Sequence, residues 1–220
     1  MDFFLQLLIN GVSIGFLYGL SAMGFVMIFK SSSVLNFAHG EILAFGAFLF
    51  LALVTWAKLP VALAFVVTLA GAFVMGFVIE RIFLRPLIGE PLIQVIMLTV
   101  GLAAMFKGGM LLVWGGNLYN YPEFLPAWLG IEWGIVQVPP VYVAAVIIGS
   151  LFLLLFGLFF KFSSQGIYMR SVADNQPAAL SLGVHVRRVF ALSWGIAAMV
   201  AGISGIVLGI INGINVHELS

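Results

Sequence analysis

The chain has 220 residues, of which 63% are hydrophobic and 8% charged, with a net charge of +1 and a mean hydropathy of +1.22. Soluble domains carry about 25% charged residues, so this composition excludes a water-soluble globular fold and indicates an integral membrane protein. Cations spread thinly along the chain give no basis for nucleic-acid binding, and the absence of cysteine removes disulfides, thiolate metal sites and a cysteine nucleophile.

A helix needs about 20 apolar residues to cross the hydrocarbon core. Uninterrupted apolar runs predict six spans, at 4–29, 41–57, 61–83, 92–114, 138–160 and 189–211. The first follows Met1-Asp2-Phe3-Phe4 with no basic region before it, and is too long for a signal-peptide core, so it reads as a retained span. Its Gly11, Gly15 and Gly19 recur every four residues, as do Ala197, Ala201, Gly205, Gly209 and Gly213 in the sixth. Such faces let helix backbones approach closely, and both are expected to be tight contacts, the alternative in a pore protein being that they face a narrow lumen.

Between the first two spans lies a polar knot, Lys30-Ser-Ser-Ser-Val-Leu-Asn36-Phe-Ala-His39-Gly40-Glu41. It reads as a loop in which Asn36 caps the second helix, with Glu41 favoured in its first turn by the helix dipole. It also reads as a broken or re-entrant segment near 31–41 that opens a solute path, because non-helical polar backbone at membrane depth survives only in protein or beside a watery cavity. The two readings are compatible. The second span, the shortest, fits a helix completed by such a segment.

Lys30, Arg81, Arg85, Lys161, Arg170, Arg187 and Arg188 fall on one side of a six-span topology, and only Lys58 lies in a loop of the other. The positive-inside rule then places the N-terminus outside. Lys107 sits inside the fourth span, where a cation costs at least about 2.5–3.5 kcal/mol. It either snorkels to the outer surface near Trp114 or faces inward toward a carboxylate such as Glu80 or a solute.

The outer segment 115–137, with Tyr119, Tyr121, Phe124, Trp128 and Trp133, reads as an interfacial aromatic stretch or part of an outer docking surface. The inner loop 161–188 is too long for a plain connection. Asp174 or Asn175 can cap, Pro177 suits a first turn, Ala178 to Leu182 propagate and Gly183 suits the position after the helix. A short cytoplasmic helix is predicted there, either contacting a partner or lying on the membrane with Arg170, Arg187 and Arg188 on lipid phosphates. Nucleotide-binding, zincin and serine-hydrolase motifs are absent, and His39, His185 and His217 are too scattered to indicate a metal site.

Several stretches together resemble one family. Asn10-Gly11, Gly15, Tyr18 and Gly24 run into Asn36-Phe-Ala-His-Gly-Glu41; Glu80-Arg81 and Arg85-Pro86-Leu87 follow the third span; Thr99-x-Gly101 lies in the fourth. Gly166, Arg170, Ala173-x-x-x-x-Ala178 and Leu182-Gly183-Val184 complete the series. The chain resembles the membrane permease subunits of branched-chain amino acid ABC transporters, the leucine/isoleucine/valine type. The resemblance implies an all-α, multi-pass protein of the bacterial inner membrane, without catalytic residues or a cofactor of its own. It would work with a second permease, two cytoplasmic ATPases that use ATP, and a periplasmic or extracellular solute-binding protein.

In that family the inner loop is a coupling loop of pattern Glu-Ala-Ala-x-x-x-Gly. Ala178-Ala179-Leu-Ser-Leu-Gly183 is similar to its latter part, with Pro177 where the pattern has Glu. The resemblance thus implies a coupling helix near 166–183 with Arg170, Asp174, Ala178, Ala179 and Gly183 as contact residues, and Asp174 as the candidate polar contact. Asn36, His39, Gly40 and Glu41 are the expected translocation-path residues. The family's further C-terminal spans would lie beyond His217-Glu218-Leu219-Ser220, so residues 1–220 read as one permease domain lacking them. The same scaffold could carry urea or a short amide, and a passive channel or a scaffold remains the reading from a different class.

Overall fold

Within a helix the backbone amides bond inside their own segment, the condition for crossing hydrocarbon, and the apolar runs fold accordingly. The computed structural model describes residues 2–32, 34–87, 90–133 and 136–219. Its long apolar helices are α1 (Asp2–Ser32), α3 (Val61–Ile79), α4 (Leu92–Trp114), α5 (Pro140–Phe162) and α8 (Val186–Asn212), each able to span a membrane. The remaining apolar run, second in chain order, is α2 (His39–Thr55), whose 17 residues rise only about 25 Å. Two short helices, α6 (Ser164–Asp174) and α7 (Gln176–Ser181), fill the inner loop, and α9 (Val216–Leu219) follows α8. Strands β1 (Ile131–Trp133) and β2 (Val136–Val138) pair as a small antiparallel hairpin.

Proline marks where spans begin. Pro60, Pro91 and Pro139 precede α3, α4 and α5 with φ of −54°, −54° and −55°. The ring fixes that angle and lacks the amide hydrogen a helix start cannot use.

The architecture is centred on α8. Of its span 78% is buried, against 22–33% in the other four long helices, and α1, α2 and α3 pack around it. Gly205 of the predicted small-residue face, with Gly202 outside that repeat and Gly46 and Gly76 on the facing helices, allows the closeness. A Cβ at Gly205 would stand 2.0 Å from the carbonyl oxygen of Leu43 on α2, one at Gly46 2.5 Å from the Cα of Gly202, and one at Gly76 on α3 2.3 Å from the carbonyl of Trp194. These are backbone-to-backbone contacts. The outward sides of the other helices expose large apolar groups such as Leu7, Val66, Met97 and Leu154, a surface suited to lipid.

The glycine face of α1 behaves differently from expectation. No atom lies within 4 Å of where a Cβ would stand at Gly11, Gly15 or Gly19. Instead α1 turns Ser13, Leu17, Leu20 and Ile28 into the protein, toward α8 and α5, and the four-residue glycine repeat falls on a different face.

The outer segment is more than a surface strip. Tyr119 pairs with Ile214 through two backbone hydrogen bonds of 3.0 and 2.8 Å, fastening it to the end of α8. Tyr121 donates its hydroxyl to the carbonyl of Ala47 at 2.9 Å, with Phe50 edge-on to its ring. Burial pushes the Tyr121 phenol well above its usual range, so it stays protonated as the donor this bond requires.

Gly205→Val should lower stability by about 3 kcal/mol, the upper part of the overpacking range. Gly15→Val, on the open face, should stay within about 0.5 kcal/mol. Thermal unfolding in detergent compares the two, and equal losses would mean that α2 and α8 do not meet backbone to backbone.

Candidate functional site

The polar knot is where regular helix stops. Ser31 and Ser32 both donate to the carbonyl of Ile28, at 3.0 and 2.8 Å, and hydroxyls that bond back into the last turn compete with continuation of the helix. Val34, Leu35 and Asn36 then run without regular structure toward α2. The Asn36 carbonyl accepts from His39 N at 3.3 Å and its Oδ1 accepts from Ala38 N at 3.0 Å. The expected Asn36 cap is therefore a turn. The capping position of α2 is Ala38, which offers no side-chain bond, and Asn36 stands too early and uses its oxygen to close the connection.

His39 opens α2 wedged between α1 and α8. Its Nε2 lies 3.0 Å from the carbonyl of Ser21, and the Phe25 ring meets it edge-on at 5.9 Å. A Cβ at Gly24 would stand 3.0 Å from the His39 Cε1 and 3.1 Å from the Ala197 carbonyl, so glycine there makes room for the imidazole. Because a carbonyl only accepts, Nε2 carries the proton and Nδ1 is left as a bare acceptor. That Nδ1 is buried without a partner, as is the Nδ2 of Asn36. Each such orphan costs about 1–3 kcal/mol, and together they leave an unused donor and an unused acceptor at the break. Gly40 and Glu41 complete the first turn, with Glu41 buried at the positive end of the helix. From α4, Thr99 donates to Ile96 O at 2.9 Å and lies 3.4 Å from the carbonyl of Leu35, placing the fourth span beside the break.

Beside it lies a cavity of about 160 Å³ between Ser32 and Val34 of the break, Glu80 at the end of α3, Trp194 of α8 and Gln176 of α7. Glu80 is 1% exposed and its Oε2 accepts from Arg85 Nη2 at 3.2 Å. Residues five apart lie on different sides of an α-helix. Here α3 gives way to a π-helical turn over Glu80–Leu84 and then a 3₁₀ turn over Arg85–Leu87, and π winding stacks residues five apart. Only one limb of the pair is made: Glu80 Oε1 and Arg85 Nε are buried without partners. Lys107 is half-buried on α4, and Glu80 pairs with Arg85.

Where one helix near 166–183 is expected, the inner loop holds two, α6 and α7, parted at Asn175, whose backbone is extended. Ser163 caps α6 by accepting from Gly166 N at 2.9 Å, and Asn175 caps α7 by accepting from Ala178 N at 3.0 Å. Pro177 occupies the first turn, and Gly183 follows at φ +83°, a conformation that favours glycine. Arg170 points back, donating through Nη1 to the carbonyl of Phe160 at the end of α5. Asp174, Ala178 and Gly183 are exposed, whereas Ala179 is 2% exposed and packs with Met169, Val186 and Phe190. Leu180 and Leu182, with 54% and 83% of their surface open, form an apolar tip on α7.

Gln176, Trp194 and that leucine tip are absent from the expected site. Gln176 carries no spacing that links it to Glu80, and Leu180 and Leu182 look like ordinary apolar helix formers until their exposure is known. Nitrogen-15 NMR of histidine-labelled protein should report His39 as the Nε2–H tautomer. Gly24→Val should remove that signature by driving the ring off Ser21, and an unchanged signal would place the imidazole outside this slot.

Residues 7–218 match the family described as the permease component of the branched-chain amino acid transport system. The chain is 27% identical to the high-affinity branched-chain amino acid transport permease LivH of Salmonella typhimurium, over 94% of this chain and 71% of that protein. It is 26% identical to LivH of Escherichia coli with the same coverage, and 28% identical to BraD of Pseudomonas aeruginosa over 96% and 72% of the two chains. No solved structure matches significantly. The match to the family's pattern runs through all the spans just described, and the chain belongs to the permease components of branched-chain amino acid transport systems.

Proposed function

We propose that the chain is the membrane-spanning subunit of an ATP-driven importer of branched-chain amino acids in the bacterial inner membrane, with its solute path beside the α1–α2 break. The relatives' described transport of branched-chain amino acids supports this choice of solute. A branched aliphatic amino acid presents an apolar side chain and a zwitterionic head, and calls for small apolar walls with a few convergent polar groups. Asn36 and His39 offer the complementary pair: Nδ2 can donate to the carboxylate and Nδ1 can accept from the ammonium. Gly40 and Glu41 shape the same turn.

The observation that carries the reading is the cavity between Gln176 of α7 and Ser32 and Val34 of the break. It sets the inner-loop helix against the candidate path. In this reading α7 is the coupling helix, and Leu180 and Leu182 with Asp174 and Ala178 meet one of two cytoplasmic ATPases, which consume the ATP. This chain needs no cofactor itself. A second permease completes the path and a solute-binding protein delivers from outside. Clustering of Lys30, Arg85, Lys161 and Arg188 at the helix ends shared with α6 and α7 supports a cytoplasmic location for that side and an outside N-terminus.

In vesicles holding the assembled importer, Asn36→Ala/His39→Ala should lower leucine uptake by about tenfold or more, equivalent to ~1.4 kcal/mol, at an unchanged protein level. Unaltered uptake would remove this pair from the path. Leu182→Asp should abolish stimulation of ATP hydrolysis by the binding protein while leaving the chain folded. It is a cleaner test than a charge at Ala179, which is buried and would disturb the local core. Leucine flux that proceeds without nucleotide would make the protein a channel.

A further inference from the structure

A second cavity, of about 310 Å³, lies where α1, α5 and α6 converge. Three cations rim it: Lys30 in the last turn of α1, Lys161 in the last turn of α5 and Arg170 of α6. None of the three forms an ion pair with a carboxylate among the described residues. Arg170 spends two donors on the carbonyls of Phe160 and Lys161, which fixes the guanidinium at the rim and leaves its other donors available. Lys161 rests its ammonium 5.3 Å from the centre of the exposed Phe162 ring, an aromatic residue placed as at a membrane interface.

Below the rim the lining is apolar. Val26 lies one turn deeper than Lys30, and Met23 about 10 Å deeper along α1. On α5, Gly157 and Phe156 occupy the level beneath Lys161, and nothing lies within 4 Å of where a Cβ of Gly157 would stand. The result is a slot open between two spanning helices, cationic at the level of the helix ends and hydrocarbon-lined below.

We propose that this slot is a binding site for one anionic phospholipid. Its phosphate sits among Lys30, Lys161 and Arg170, and one acyl chain lies along Met23, Val26 and Phe156 in the space left by Gly157. Charge complementarity selects the headgroup, since a basic pocket between spanning helices attracts anionic lipid. The apolar depth selects a lipid over a free anion, which would leave the lower slot empty. A bound lipid would fasten α6 to α1 and α5, independently of what the permease carries.

The test is native mass spectrometry of the chain, with any co-purifying partner subunits retained, titrated with phosphatidylglycerol and with phosphatidylethanolamine. One phosphatidylglycerol should remain bound under activation that strips phosphatidylethanolamine. Lys30→Gln/Lys161→Gln should weaken that binding on the order of thirtyfold, as expected for two membrane-surface cations. Gly157→Phe, which fills the slot without changing charge, should weaken it as well, whereas Arg187→Gln/Arg188→Gln should leave it unchanged. An equal loss in the Arg187/Arg188 variant would reduce the effect to general surface charge. Full affinity in Gly157→Phe, or displacement of the lipid by inorganic phosphate, would also overturn the site. Should the double lysine variant fail to fold, Gly157→Phe alone decides.

Discussion

Everything in this molecule is arranged around the absence of side chains where α8 meets α2 and α3. Hydrophobic burial cannot hold apolar helices together in lipid, which is as apolar as leucine, so association depends on close packing. Gly46 against Gly202, Gly205 against the Leu43 carbonyl and Gly76 against the Trp194 carbonyl bring three backbones within contact distance. That contact puts α8 in the centre, surrounds it on most sides, and leaves the remaining helices to meet the bilayer. At Gly24 on α1 both the Ala197 carbonyl of α8 and the His39 ring come close, so α8 also packs beside the start of α2.

Polar groups are rare here; buried hydroxyls such as Thr68 and Ser193 bond back to their own helices, but several other buried groups are only partly satisfied. At the break between α1 and α2 the Asn36 carbonyl and Oδ1 are accounted for, while Asn36 Nδ2 and His39 Nδ1 stay idle. Glu80 and Arg85 share one hydrogen bond where their geometry offers two. Inside a low-dielectric interior such groups are costly to leave alone. Both groups stand near one helix break, and a cavity lined by Ser32, Val34 and Glu80 adjoins it.

Much of this could be read from residues alone. Six apolar runs became six helices within a few residues of their expected ends, because length and hydropathy decide which segments can cross hydrocarbon. Asn175, Pro177 and Gly183 specified α7, since capping, fixed φ and left-handed backbone are properties of single residues. What failed was anything that needed a partner's position. The glycine repeats of α1 and α8 look alike, yet only that of α8 faces another backbone; spacing identifies a face without saying what lies opposite. Asn36 has the right chemistry for a cap and the wrong register. Glu80 and Arg85 looked unrelated because their separation suits no α-helical pair. The burial of Ala179 beside the exposure of Leu182 depends on how α7 docks onto α6 and α8.

The end of α3 has a mechanical meaning as well. Its π turn is wound more loosely than an α-helix and the 3₁₀ turn after it more tightly. Two opposite departures in winding stand side by side in the same short stretch. If the loose turn were to take up α-helical winding, Arg85 would swing round the axis away from Glu80. The Glu80–Arg85 ion pair is therefore tied to the π winding, and a regular α-helical turn in its place would leave the buried Glu80 carboxylate without its partner.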